Sequence, residues 1–289
     1  MALFVFHPLL LLPVNPENTT LTSLLYKLTL GTSTCVHTKF QPMKHKNLKY
    51  IILSFFVILF TKQQVVAGPP YNTDDPQPVD FKHWEYSIST INTFQPDTWT
   101  GTSPHLEVNY GLIPNVQVHL ILPLNYNYSR LNGYNLGYAY TEFGLKYRFI
   151  QETDNFPQIG TFPILEIPTI SNNAFSNGKT QLFIPVWAQK SWGKLTSYGG
   201  IGYWINPGVG NKNWIFSGWE VQYDFTPAIT LGGELYYHTA DRLDTKPVTA
   251  FNIGGSINTT ERFHIIFSVG HSLINDNFTT TYLGLLWTI

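Results

Sequence analysis

Residues 139–149 read AYTEFGLKYRF, and the stretch alternates without a break. Ala139, Thr141, Phe143, Leu145, Tyr147 and Phe149 fall on one side of an extended chain, and Tyr140, Glu142, Gly144, Lys146 and Arg148 on the other. Successive side chains of a strand point to opposite faces, so a period of two predicts a strand with one apolar and one polar face. A wall with lipid on one side and water on the other needs strands of this kind.

The pattern recurs on both sides of that stretch. Val116, Val118, Leu120, Leu122 and Leu124 alternate with Gln117, His119, Asn125 and Asn127 on the opposite phase, and Ile215, Ser217, Trp219, Val221, Tyr223 and Phe225 alternate with Gly218, Glu220, Gln222 and Asp224. Weaker versions run over 84–94, 103–112, 159–169, 180–190, 195–205, 228–239, 248–258, 263–271 and 278–289. That makes about twelve strands. Short turns at 113–115, 191–194, 226–227 and 258–262 interleave with longer polar loops at 129–136, 170–179, 206–212 and 240–247. Short connections on one rim and long ones on the other are the asymmetry of outer-membrane barrels. Residues 151–158 are long for the short side, and 275–277 short for the long side.

Composition points the same way. Charged residues make up 12% of the chain and aromatic residues 16%, with formal net charge −1. A soluble domain usually carries about 25% charged residues. Near-neutral mean hydropathy with few charges suits a barrel whose apolar outside is offset by a polar inside, and the charge balance excludes a basic nucleic-acid surface. The single Cys, Cys35, excludes a disulfide framework. The expected fold class is therefore all-β: an antiparallel transmembrane β-barrel of about 12 strands over residues 81–289. A soluble sandwich or lipocalin-like binder is the rival fold.

The amino-terminal part is read separately. Residues 43–67 combine Lys44, Lys46 and Lys49, an apolar run from Tyr50 to Phe60, and Val65-Val66-Ala67 before Gly68, the layout of a secretory signal peptide. The apolar run is well short of the roughly 20 residues that span a bilayer as a helix. Met43 is accordingly expected to be the true start and 1–42 an upstream segment. Removal of 67 residues leaves 289 − 67 = 222, without Cys. At twelve strands this is about 18 residues per strand and connection, in keeping with membrane strands of about ten residues plus turns. Residues 68–80 are expected to form a Pro-rich periplasmic lead.

Leu283, Leu285, Trp287 and Ile289 place apolar side chains at alternate positions up to the last residue. This resembles the carboxy-terminal recognition strand of Gram-negative outer-membrane proteins, ending here in Ile rather than the commoner Phe. It implies the barrel-assembly machinery as a partner and the bacterial outer membrane as location. The runs Gly144-Leu145-Lys146-Tyr147-Arg148-Phe149, Gly199-Gly200-Ile201-Gly202-Tyr203-Trp204 with Asn206-Pro207-Gly208, and Gly218-Trp219-Glu220 with Gln222-Tyr223-Asp224 resemble the phenol meta-pathway transporter family of outer-membrane proteins. The resemblance covers most of 84–289. It implies passage of small, aromatic or hydrophobic organic solutes, and no catalytic residues come with it.

The alternation puts Glu85, Glu107, Glu142, Lys146, Arg148, Glu166, Trp187, Trp204, Trp214, Glu220, Glu234 and Tyr236 on the inward phase, as candidate lumen and solute-lining residues. His119, His238, His264, Phe183 and Phe216 share that phase. The acids and bases could line a polar pore or pair across strands to close it, and the rings could stack against a solute or plug the interior. An outer loop or the lead could equally fill the pore. Outward Trp84, Tyr86, Trp219, Tyr223, Tyr237 and Trp287 are expected in interfacial girdles. No enzyme is expected: Ser268 and His264 share a face but lack a third member, and His271-Ser272 cannot point both side chains to one face. No metal or other cofactor is expected, since His238, Asp241 and Asp244 lack a ligand spacing. A passive channel is the leading function. A non-conducting structural or surface-interaction barrel is the alternative.

Overall fold

The alternating stretches are strands, and several run further than their patterns suggest. The structure, a computed structural model, describes residues 70–169 and 175–289. Segment 1–42, the stretch expected as signal peptide and residues 68–69 lie outside the described residues. The strands are β1 (Trp84–Phe94), β2 (Thr98–Ile113), β3 (Val116–Ser129), β4 (Gly133–Tyr138), β5 (Tyr140–Ile150), β6 (Gln158–Thr161), β7 (Ile164–Pro168), β8 (Gln181–Trp192), β9 (Leu195–Ile205), β10 (Trp214–Thr226), β11 (Ile229–His238), β12 (Val248–Asn258), β13 (Phe263–Ile274) and β14 (Thr279–Thr288). β4 continues into β5 and β6 into β7, so the fourteen segments form twelve wall strands. All pair antiparallel with their neighbours, β14 returns to β1, and the ring is closed. At the seam Trp84 and Ile289 exchange both backbone hydrogen bonds at 2.8 Å. Closure matters because an open sheet edge in hydrocarbon would leave its N–H and C=O groups unsatisfied.

Three departures from simple alternation have local causes. β2 starts at Thr98 rather than Ser103, because a register shift between Thr102 and His105 absorbs Ser103-Pro104 as a bulge and the pairing resumes beyond it. Proline has no N–H to give a ladder, which confines it to such positions. The polar loop expected at 129–136 is instead zipped into a hairpin: β3 pairs with β4, Tyr128 opposite Tyr134 and Tyr126 opposite Leu136. Asn135 Nδ2 donates to Asn127 Oδ1 at 2.9 Å on its inner side, so the period of two persists almost to the tip. Between β6 and β7 the chain breaks at Phe162-Pro163, and Phe162, only 4% exposed, turns its ring into the barrel over Gly144.

The outer surface carries Ile88, Leu106, Leu122, Phe143, Leu145, Ile184, Val186, Ile201, Leu235, Ile253, Val269 and Leu283, all exposed. Water would penalise such a surface, and lipid does not; this is the exterior of a membrane-spanning barrel. Trp84 and Trp287 stand at the rim where the chain ends meet, whereas Trp219 sits mid-strand in β10 and donates its indole N–H to Ser197 Oγ at 2.7 Å. That neighbouring acceptor frees it from a rim position.

Candidate functional site: the barrel lumen

The lumen has a carboxylate wall, an aromatic wall and an inner strap. On the first wall β1, β2, β3 and β5 hold a hydrogen-bonded network. Asn109 Nδ2 donates to Glu85 Oε1 (3.0 Å) and Glu107 Oε1 (2.8 Å), and its Oδ1 accepts from Gln117 Nε2 (2.9 Å). The His119 ring links Asn109 Oδ1 at 2.6 Å to Glu142 Oε1 at 2.9 Å. Glu107 and His119 are buried, and Glu85, Glu142 and Glu166 half-buried. Glu142 and Glu166 face each other as cross-strand partners.

The aromatic wall rises on β8 to β12. Phe183 stacks on Trp204 with centroids 4.8 Å apart and planes at 16°, and Trp204 on Trp214 at 5.4 Å and 12°. Trp187, Phe216 and Tyr236 are buried beneath, in one cluster with Phe162, Val248 and Ala250. The cluster occupies the half of the lumen nearer the longer loops. His238 stands edge-on to Trp214 at 5.4 Å, and Ser268 and His264 do not meet, because Ser268 Oγ donates to Pro70 O and His264 Nδ1 lies beside Asn258 Oδ1.

The strap is the lead itself. Residues expected below the rim run inside the barrel, where Thr73 and Asp75 are fully buried. Glu234 accepts from the backbone N–H groups of Asn72 and Thr73, each at 2.7 Å, and from Asn252 Nδ2 at 2.5 Å. Lys146 Nζ reaches Asp74 Oδ1 at 2.9 Å and Asp75 Oδ2 at 3.3 Å. Arg148 Nη1 donates to Gln77 Oε1 (2.5 Å) and Gln158 Oε1 (3.0 Å), and Gln117 Oε1 accepts from the N–H of Val79 at 2.8 Å. The wall is cut back to admit it: a Cβ at Gly160 would stand 2.9 Å from Pro76 Cβ, and one at Gly218 would collide with Thr73 Oγ1. Glu220 is fully buried opposite Glu234, yet both its oxygens lack a partner among the described residues. Burial pushes the Asp75 carboxyl up to about 7, against the opposing pull of Lys146.

The inward-phase residues thus fall into three groups. Glu85, Glu107, Glu142 and Glu166 belong to the carboxylate wall, Trp187, Trp204, Trp214 and Tyr236 to the aromatic wall, and Lys146, Arg148 and Glu234 to the strap's seat, with Glu220 alongside. Phe162, Thr73, Asp74 and Asp75 complete the lumen without having been singled out by alternation. Phe162 stands at a break in the period, and the strap has no period at all. Two acidic side chains in the lead, opposite two bases on one strand face, were the available signal.

No protein-family model matches the chain, and no curated protein matches it. Among solved structures it is similar to the COG4313 outer membrane channel from Pseudomonas putida F1, with TM-score 0.61 and 14% identity, covering 78% of this chain and 100% of that one. The NanC porin follows at TM-score 0.49 and 10% identity, covering 70% of this chain and 98% of that one. The KdgM porin in complex with disordered oligogalacturonate stands at 0.46 and 13%, with coverage of 70% and 98%. The fold is a closed antiparallel barrel of twelve strands, matching that of an outer-membrane barrel.

Proposed function

We propose that the chain is a bacterial outer-membrane channel for passive passage of small, aromatic or hydrophobic, ring-bearing solutes. The observation that carries this reading is the ladder of buried Phe183 and half-buried Trp204 and Trp214, aligned face to face on the inner wall. Rings on the lipid side would help hold the barrel in the bilayer, but rings stacked inside offer their faces to whatever enters. The alternating carboxy-terminal strand, Leu283 to Ile289, is the part of the chain that the barrel-assembly machinery would engage.

In this reading the strap is a closure that passage must displace. Its contacts are side-chain bonds and one cluster of buried charges, whereas the wall is held by continuous ladders. The strap can therefore leave while the barrel stays intact. A closed structural barrel is the second reading, favoured by the same strap contacts. Single-channel recording in planar bilayers separates the two: discrete conductance steps that added phenolics block support the channel, and a barrel that inserts with heat-modifiable gel mobility and never conducts is the structural one.

A further inference from the structure

The outer half of the lumen contains two facing carboxylates that no lysine or arginine answers. Glu142 gives one oxygen to His119, and Glu166 makes no hydrogen bond or ion pair among the described residues. They are direct cross-strand partners, an arrangement that like charges make unfavourable. Lys146 and Arg148 are already engaged, Lys146 with the strap's acids and Arg148 with Gln77, Gln158 and Asn115.

Beside this pair stands the aromatic ladder. Glu166 is opposite Gln181 and Ile164 opposite Phe183, so Phe183 is the diagonal neighbour of Glu166, a separation of about 7–8 Å that long side chains bridge. Trp204 and Trp214 extend the stack and are only half-buried. Beneath them Trp187, 1% exposed and 6.3 Å from Phe183, has an indole N–H sealed from solvent with no acceptor among the described residues.

We propose that this corner binds a ring-bearing organic cation, a protonated aromatic amine whose ring continues the Phe183–Trp204–Trp214 stack while its ammonium lies between Glu142 and Glu166. The inference rests on the channel reading and narrows its solute class. A cation gains from the carboxylates in addition to the stacking of its ring, while a neutral ring gains from stacking alone.

The test is calorimetric titration of the full chain in detergent micelles with tyramine, 4-propylphenol and 3-(4-hydroxyphenyl)propanoate, three rings of similar size carrying positive, no and negative charge. Tyramine should bind about tenfold tighter than 4-propylphenol, with the anion weakest. Glu166→Gln, which breaks no hydrogen bond of the described structure, should cut tyramine's advantage to about twofold, and Trp204→Leu should weaken tyramine and 4-propylphenol alike. Equal affinity for the three probes, or an advantage that survives Glu166→Gln, would overturn the proposal. Micelle binding needs no open pore. A barrel that prefers tyramine but never conducts therefore refutes the channel and supports this site, and one that conducts phenolics without preferring tyramine does the reverse.

Discussion

Lys146 holds the strap at its most expensive point. Its ammonium is buried between Asp74 and Asp75, and removing one partner of such a cluster leaves buried charge uncompensated, at a cost of about 3–5 kcal/mol. Lys146→Met keeps the length of the side chain and removes the charge. Single-channel open probability should rise steeply, and an unchanged value would show that the strap is held elsewhere. Asp75 adds a pH dependence of defined sign. With its pKa raised to about 7 in the seated strap, the contribution of Asp75 itself is fully present below the free carboxyl's value of about 4 and is lost as pH rises through 7. Openings should be more frequent at pH 8 than at pH 5, and Asp75→Asn should flatten that part of the profile.

The strap as an element is separable from the wall. It crosses the lumen on side-chain hydrogen bonds, while the wall closes through the β1–β14 ladder and the Trp84–Ile289 pair. Deleting residues 70–79 should raise conductance several-fold and leave heat-modifiable gel mobility unchanged, because no ladder bond is lost. Loss of folding instead would make the strap part of the barrel's core. Of the wall elements, β1, β9 and β12 were legible in the sequence to the residue. Each is bounded by turn residues, and the register shifts at Ser89/Ile91 and Thr249/Ala250 interrupt pairing inside β1 and β12 without moving their ends. β2, the β3–β4 hairpin and the β6–β7 pair were legible only in part, since a bulge at Ser103-Pro104, a zipped loop and the inward turn at Phe162 are settled by pairing with neighbours.

For the whole molecule the decisive contrast is between outside and inside. Phe143 points into lipid and Glu142, one residue earlier on the same strand, into the lumen beside Glu166. An Arg on the lipid face near the membrane midplane costs about 2–4 kcal/mol. Phe143→Arg should therefore lower refolding yield and urea resistance in lipid vesicles. Glu142→Arg should cost much less, because the new cation meets Glu166 and Glu107. Equal losses would mean that the two faces are assigned the wrong way round.

By itself the sequence determined that this chain is a wall of about twelve amphipathic strands, and which face of each strand meets lipid, because a period of two is a local property that each strand carries alone. It also placed the acids and rings inside. Only the tertiary structure decided what those residues do to one another. The register of neighbouring strands brings Glu142 against Glu166 and lines up Phe183, Trp204 and Trp214 from three strands, and folding the aperiodic lead back through the lumen pairs Asp74 and Asp75 with a lysine some seventy residues away. These relations depend on register and on the free energy of burying charge in a confined space, neither of which is written in any one stretch of the chain.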